Sequence, residues 1–174
     1  MMEEYVKYEI RQASTEDLEA VTAVEAACFP AAEAAGREQF LQRLSTYPES
    51  FLAACLKEGS QEGRIIGFIN GAVTDERTIA DEMFEDVSLH NPNGVYQAVF
   101  GLDVLEEYRG QGIAAALMRA LIEKARQDGR KGLILTCKDR LIGFYERQGY
   151  RLLGLSRSVH GGAVWYDMIL EFDS

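Results

Sequence analysis

The residues of this chain that can do chemistry fall into one dense stretch and a few isolated side chains. The dense stretch is Leu102 to Gly129, LDVLEEYRGQGIAAALMRALIEKARQDG, where Gly110 and Gly112 follow Arg109 at the point where a strand must turn into a helix. Such a turn leaves the first helical N–H groups without intrahelical partners and aims them at one spot, at the positive end of the helix dipole. That arrangement suits a phosphate. The amides of Arg109, Gly110, Gln111, Gly112, Ile113 and Ala114 would form the cradle, although a strand-to-helix turn with no ligand fits Gly-x-Gly equally well. Two familiar phosphate motifs do not fit. A P-loop requires Gly-x-x-x-x-Gly-Lys-Ser/Thr, and no Lys-Ser/Thr pair follows these glycines. A dinucleotide fingerprint accepts Ala115 as its third small residue, but the strand ending in an acidic residue about twenty positions on is missing, because that region still reads as helix.

The isolated groups are three cysteines and two histidines. Cys28, Cys55 and Cys137 are odd in number and far apart, each in an apolar stretch, which predicts reduced, buried thiols and a cytoplasmic setting. No metal site is expected, since neither His90 nor His160 lies near a cysteine at ligand spacing. His90 sits in the turn signal His90-Asn91-Pro92-Asn93-Gly94 and reads as exposed. A net charge of −10 argues against a nucleic-acid partner and favours a cationic one. The N-terminal MMEEYVKYEI lacks the apolar core of a signal peptide, and no apolar run reaches membrane-spanning length. Hydrophobic content of 47% over 174 residues predicts one globular domain, residues 1–174, with a core of its own.

Around the cradle the chain reads as alternating elements. Tyr5 to Gln12 is a strand. Ser14 opens a helix as a capping residue, with Asp17 three positions on and Leu18, Val21, Val24 and Glu25 along its inner stripe, ending at Cys28-Phe29-Pro30. Arg37 to about Thr46 is a second helix, with Phe40, Leu41 and Leu44 on one face; Phe51–Lys57 and Ile65–Thr74 are antiparallel strands. Thr78–Asp86 is a short acidic helix in a long connection, and Val95–Val104 a long strand leading into the cradle. The main helix repeats Ile113, Leu117, Leu121 and Ala125 and stops at Gly129. Gly132–Cys137 then runs parallel to Val95–Val104 across that helix. A shorter helix capped by Asp139 runs to Arg147, and Tyr150–Val159 with Ala163–Phe172 make a closing hairpin around Gly161-Gly162.

Arg109 to Ala114 also fits the pattern Gln/Arg-x-x-Gly-x-Gly/Ala, and LDVLEEYRGQGIA is followed downstream by GFYERQGY. This ordered pair resembles the two strongest segments of the GNAT superfamily of N-acyltransferases. Within it, Arg37–Phe51, GFINGAVTDERTIADEMFED, LHNPNG and LTCKDRLIGFYERQGY resemble the arylalkylamine (serotonin-type) N-acetyltransferases. The resemblance implies an α/β (α+β) GNAT fold: a mixed, mostly antiparallel seven-stranded sheet, about four helices, and a V-shaped splay between the fourth and fifth strands.

It further implies acetyl-CoA as co-substrate, its arm held by backbone of Leu102 and Val104, the Val104 N–H facing the thioester carbonyl and the cradle holding the pyrophosphate. Tyr145 falls where the superfamily often places a general acid, to protonate a thiolate of pKa about 8.5. The acceptor would be a small primary amine, bordered by Phe29, Phe100, His160 and Trp165. The animal enzymes carry a histidine pair on the strand before the cradle; here Ala98 and Phe100 stand at those positions. An amine of pKa about 10 is neutral about one time in a thousand at pH 7, so water ordered by a carboxylate such as Glu25 would have to serve, or the substrate differs. Covalent transfer through Cys137 lacks a histidine partner. Polyamine or protein N-terminal acetylation, and a catalytically silent acyl-CoA sensor, remain alternatives; the oligomeric state is open, a homodimer included.

Overall fold

A computed structural model describes residues 5–173, so Met1–Glu4 of the N-terminal reading lie outside the described residues. The strands are β1 (Tyr8–Gln12), β2 (Phe51–Leu56), β3 (Ile65–Asn70), β4 (Val73–Thr74), β5 (Tyr96–Val99), β6 (Gly101–Val104), β7 (Gly132–Cys137), β8 (Arg151–Leu155) and β9 (Tyr166–Glu171). The helices are α1 (Leu18–Cys28), α2 (Arg37–Thr46), α3 (Glu82–Glu85), α4 (Ile113–Gln127) and α5 (Ile142–Arg147). Strands pair in the orders β1-β2-β3-β6 and β4-β5-β7-β9-β8, antiparallel except for β5 with β7. This is the mixed, mostly antiparallel α/β arrangement that the resemblance implied.

The expected seven strands become nine because two of them break side by side. Ile65–Thr74 divides at Gly71-Ala72, and Val95–Val104 divides at Phe100. A Cβ on Gly71 would lie 1.8 Å from the Ala98 carbonyl oxygen, so only glycine lets the two chains pass that closely. The Phe100 amide crosses to the Asn70 carbonyl at 2.7 Å, and the Ala98 amide to Ala72 at 2.8 Å. The break has a large consequence. β5 stays with β7 from Tyr96↔Gly132 to Val99↔Leu135, whereas β6 follows β3. Thr136 and Cys137 at the end of β7 therefore have no strand beside them on that side, and the sheet opens into the expected V.

Packing fixes the opening from both faces. Val21 and Val24 of α1 and Phe40 and Leu44 of α2 cover one side of β1–β2–β3–β6, against Phe51, Phe68 and Leu105. On the other side α4 buries Ile113, Leu117, Leu121 and Ala125, each no more than 1% exposed, against Ile66, Ile69, Val104, Leu133 and Leu135. Each of the larger side chains, Ile113, Leu117 and Leu121, stabilises the fold by about 1.5–3 kcal/mol. α4 ends as its sequence requires: Gly129 takes φ 77°, its amide bonding to Arg126 and that of Arg130 to Ala125. The capping box forms at Ser14, whose amide donates to Asp17 Oδ2 at 2.9 Å. Asp139, by contrast, makes no side-chain cap; it lies exposed in a single 3-10 turn that precedes α5. The closing hairpin is shorter than expected, because residues between β8 and β9 turn inward instead of pairing. Among the described residues, no helix is long and apolar enough to cross a membrane, and all three cysteines are free thiols.

Candidate active site

The turn between β6 and α4 is built from backbone. Its first and last amides are used within it: Arg109 N–H bonds to Glu106 O at 3.1 Å, and Ala116 N–H to Gly112 O at 3.0 Å. Between them, the amides of Gly110 through Ala115 have no acceptor among the described residues. Gly110 and Gly112 sit at φ 81° and 82°, the left-handed region that lets consecutive N–H groups converge. A concavity beside this turn is lined by Val104, Gly110, Gly112, Ile113, Ala114 and Phe144. The run of unpaired amides thus begins and ends one residue later than the cradle expected from the sequence. Arg109 contributes no free amide, and its Nε donates to the Val104 carbonyl at 2.9 Å, so it braces the turn against β6. Gln111 adds a second brace, its Oε1 accepting from the Val6 amide at 2.9 Å.

β6 presents the next set of backbone groups. The Leu105 amide bonds to Ile66 O at 2.9 Å, so Asp103 and Gly101, alternating with it, also face β3. Leu102 and Val104 therefore turn their backbone groups toward the V. The Val104 carbonyl is occupied by Arg109 and, at 3.5 Å, by the Cys28 thiol. Its N–H points away from β3, toward the gap.

Tyr145 stands across that gap. Its ring is 8% exposed, packed edge-on to Phe144 and Tyr150, and it lines the same cleft as Leu102, Thr136 and Cys137. Burial first, then nearby Cys137 and Asp103, raise the affinity of its phenol for the proton, so it stays protonated across the working pH range. Tyr150, just beyond α5, spends its hydroxyl on Met118 Sδ at 3.2 Å. Cys137 is packed on Met168 and its thiol is pushed up to about 11 by burial, the wrong direction for a nucleophile.

The wider end of the cleft brings together all four side chains expected to border an acceptor: Phe29, Phe100, His160 and Trp165. His160 stacks on Phe84 with ring centroids 5.2 Å apart, Phe84 lies 4.9 Å from Phe100, and Trp165 donates its indole N–H to the His160 carbonyl at 2.9 Å. His160 Nε2 meets the Glu33 carbonyl at 2.8 Å, tying the turned-in hairpin loop to the segment after α1. Lys138 closes the rim, paired with Glu33 at 2.7 Å and 5.7 Å from the Trp165 ring centroid. His90 lies elsewhere and is half-buried instead of exposed. Its Nδ1 accepts from the Val73 amide at 3.0 Å beside Tyr47, and burial lowers its pKa.

Three cleft groups escaped the sequence reading. Phe84, on the short acidic helix, completes the aromatic wall. Arg43, 3% exposed, places its guanidinium 5.1 Å from the Phe100 ring centroid and 5.5 Å from that of Phe40, donating to Asn70 Oδ1 and the Phe84 carbonyl. Asp103, 1% exposed, sits behind the cleft beside Glu25. The signals existed: Arg43 interrupts the apolar stripe of α2 and Asp103 interrupts an apolar strand.

Comparison with known proteins places this geometry. Residues 16–150 match the family model of the Acetyltransferase (GNAT) family. Serotonin N-acetyltransferase of Mesocricetus auratus is 31% identical over 128 residues, 68% of this chain; the match spans 60% of that relative's length. Among solved structures, the GphF GNAT-like decarboxylase in complex with isobutyryl-CoA superposes with a TM-score of 0.78 at 22% identity, covering 94% of this chain and 98% of that one. The NatC complex bound to Gag peptide and CoA gives a TM-score of 0.78 at 16% identity, covering 96% and 99%. At those identities the two structures speak for the fold alone. With the family model matched over well more than half its length, the chain belongs to the GNAT acetyltransferase family.

Proposed function

We propose that this protein transfers the acetyl group of acetyl-CoA directly to a small primary amine of the arylalkylamine kind. One observation carries the reading: the V opens between a run of unpaired amides, Gly110 to Ala115, and a phenol, Tyr145, with the Val104 N–H between them. A long thioester with a diphosphate at one end and a reacting carbonyl at the other fits that sequence of groups. The residues divide the work by position. Gly110 to Ala115 hold the pyrophosphate, and Leu102 and Val104 bind the arm as a further strand would. The Val104 N–H faces the thioester oxygen; a donor preorganised at a developing oxyanion contributes about 2.7–4 kcal/mol in other enzymes. Tyr145 donates its proton to the departing sulfur, whose own proton affinity rises in the same desolvated gap.

The aromatic wall argues for an aryl group on the amine in preference to a polyamine chain. Phe100, Phe84, His160 and Trp165 follow one another ring to ring, Phe29 lines the same cleft, and the cleft's carboxylates meet a cationic head. The reduced cytoplasm, expected from the cysteine pattern, suits a free-thiol product. Release of CoA thiol from acetyl-CoA, followed with a panel of amines, tests the assignment. Arylalkylamines should give at least tenfold higher kcat/KM than aliphatic diamines or peptide N-termini. Turnover confined to peptides, or loss of an acyl carboxylate without amine consumption, would replace this reading.

A further inference from the structure

Two carboxyl groups meet between α1 and β6, Glu25 in the wall of the cleft and Asp103 behind it. Asp103, on β6, has no donor for either side-chain oxygen among the described residues. Glu25, on α1 and 7% exposed, accepts the Ala35 amide on Oε2 at 2.8 Å and leaves Oε1 unpaired. A Cβ built on Gly101 would stand 3.3 Å from Asp103 Oδ1 and 3.7 Å from Glu25 Oε1, so the two oxygens border one small space. That space opens to the cleft, where Gly101 and Glu25 both form wall.

The groups facing it are few. α1 supplies Glu25 and Cys28, α2 supplies Arg43, β3 supplies Asn70, and Tyr145 approaches from α5. Arg43 favours ionisation, but its terminal nitrogens are committed to Asn70 and the Phe84 carbonyl. Glu33, from the segment after α1, is neutralised by Lys138. Two carboxylates so placed do not both ionise easily, and they titrate as a unit. Burial, and after it Glu25, hold the Asp103 carboxyl well above the usual carboxylate range.

We infer that Asp103 and Glu25 form a proton-sharing carboxyl pair that takes the proton from the acceptor amine, Glu25 meeting the amine and Asp103 acting behind it as a positioning residue. The inference rests on the acetylation reading above and supplies what Ala98 and Phe100 cannot. With both carboxyls ionised, Glu25 accepts one proton from the ammonium: an N–H bond breaks, an O–H bond forms, and the nitrogen keeps the electron pair with which it attacks. The pair then holds one proton between two oxygens and passes it to solvent as product leaves. The second nitrogen proton replaces the one Tyr145 gives to sulfur as the C–S bond breaks, so each turnover releases one proton. A carboxyl pair that holds its proton more tightly than a solvated carboxylate is the stronger base toward the ammonium.

Infrared spectroscopy of the substrate-free protein reads the pair without activity. A carboxylic-acid carbonyl band should persist at neutral pH, bleach as pH rises, disappear in Asp103→Asn, and bleach at lower pH in Glu25→Gln, where burial alone still favours the acid. With saturating acetyl-CoA and amine, the acidic limb of the kcat profile should move at least one pH unit lower in Asp103→Asn. It should return toward its original place in Asp103→Glu, while Glu25→Gln loses at least 100-fold in kcat. Circular dichroism and retained CoA binding establish that each variant is folded; if Asp103→Asn is not, the band in Glu25→Gln and the limb in Asp103→Glu decide. A folded, active enzyme with no acid band at neutral pH, or a limb that follows the amine's own pKa and ignores Asp103→Asn, overturns the pair and leaves acetylation standing. Absence of turnover with every amine overturns the acetylation reading and the base role with it, whatever the band shows.

Discussion

On the proposed reading, the donor end of the V offers consecutive backbone amides, Gly110 to Ala115, and the acceptor end offers side chains drawn from α1, α2, α3, the β5–β6 break, β7, α5 and the loop before β9. The donor end needs two glycines at positive φ and a helix to follow them. Its side chains, Arg109 and Gln111, brace the turn on Val104 and Val6 instead of reaching into it. The acceptor end needs distant segments brought into register: Glu33 with Lys138, His160 with Phe84, Arg43 with Asn70. One end is a local property of a dozen residues, the other a consequence of the whole topology. A fold that holds the first constant and lets the second vary can keep one acyl donor and change its acceptors.

Substitutions at the two ends should therefore separate kinetically, and Tyr145, between them, should give the largest effect. Tyr145→Phe keeps the ring contacts with Phe144 and Tyr150 and removes only the acid. It should lower kcat about 10²–10⁴-fold with the affinity for CoA unchanged. Turnover equal to the parent at every pH would show that the phenol is only packing. The donor end comes next. Gly112→Glu puts a carboxylate among the free amides and should weaken acetyl-CoA binding on the order of 100-fold by calorimetry. No atom lies within 4 Å of a Cβ there, so its structural cost is the left-handed φ alone, about 1–2 kcal/mol. Gly112→Ala carries the same strain without the charge. Equal affinities for the two would discredit the anion cradle.

At the acceptor end, Phe84→Ala should raise KM for an arylalkylamine about 10-fold, within the 1–3 kcal/mol that a hydrophobic pocket contact contributes, and leave CoA binding untouched. An unchanged KM would mean that the ring serves only to support His160. Here the two ends also differ in how far a reader of the sequence could see. The turn, α4 with its Ile113-Leu117-Leu121-Ala125 stripe, and the Gly129 stop follow from neighbours within one helix length and stand where the pattern put them, with only the first free amide moved from Arg109 to Gly110. Tyr145, Phe29, Phe100, His160 and Trp165 came from resemblance, and the fold brings them into one cleft. The breaks at Gly71 and Phe100 were not legible, because they depend on two strands 30 residues apart passing within a hydrogen bond of each other. For the same reason Arg43, Phe84 and Asp103 were missed: their partners are on other elements, and only a charged residue in an apolar stripe hinted at two of them.

The smallest effect is thermodynamic and concerns Asp103 alone. Its carboxyl holds the proton more tightly in the folded chain than in the unfolded one, chiefly because it is buried and secondly because Glu25 is beside it. Between the ordinary carboxylate range, about 3.9, and the raised folded value, the native state binds more protons than the unfolded state. Stability from this group is therefore complete below pH about 3.9 and falls as pH rises toward the folded value, at about 1.36 kcal/mol per pH unit at most. Asp103→Asn is neutral in both states and removes that slope. Measured by thermal unfolding, parent and variant should diverge as pH is raised from 5 to 8, with the variant gaining; 1 kcal/mol corresponds to about 2–4 °C in a chain of this size. The opposite sign, a variant that loses ground with rising pH, would mean that Asp103 is ionised in the folded state and held by Arg43. In that case the acceptor end would carry a fixed ion pair in place of a proton-sharing pair, and the contrast with the uncharged amides of the donor end would be sharper still.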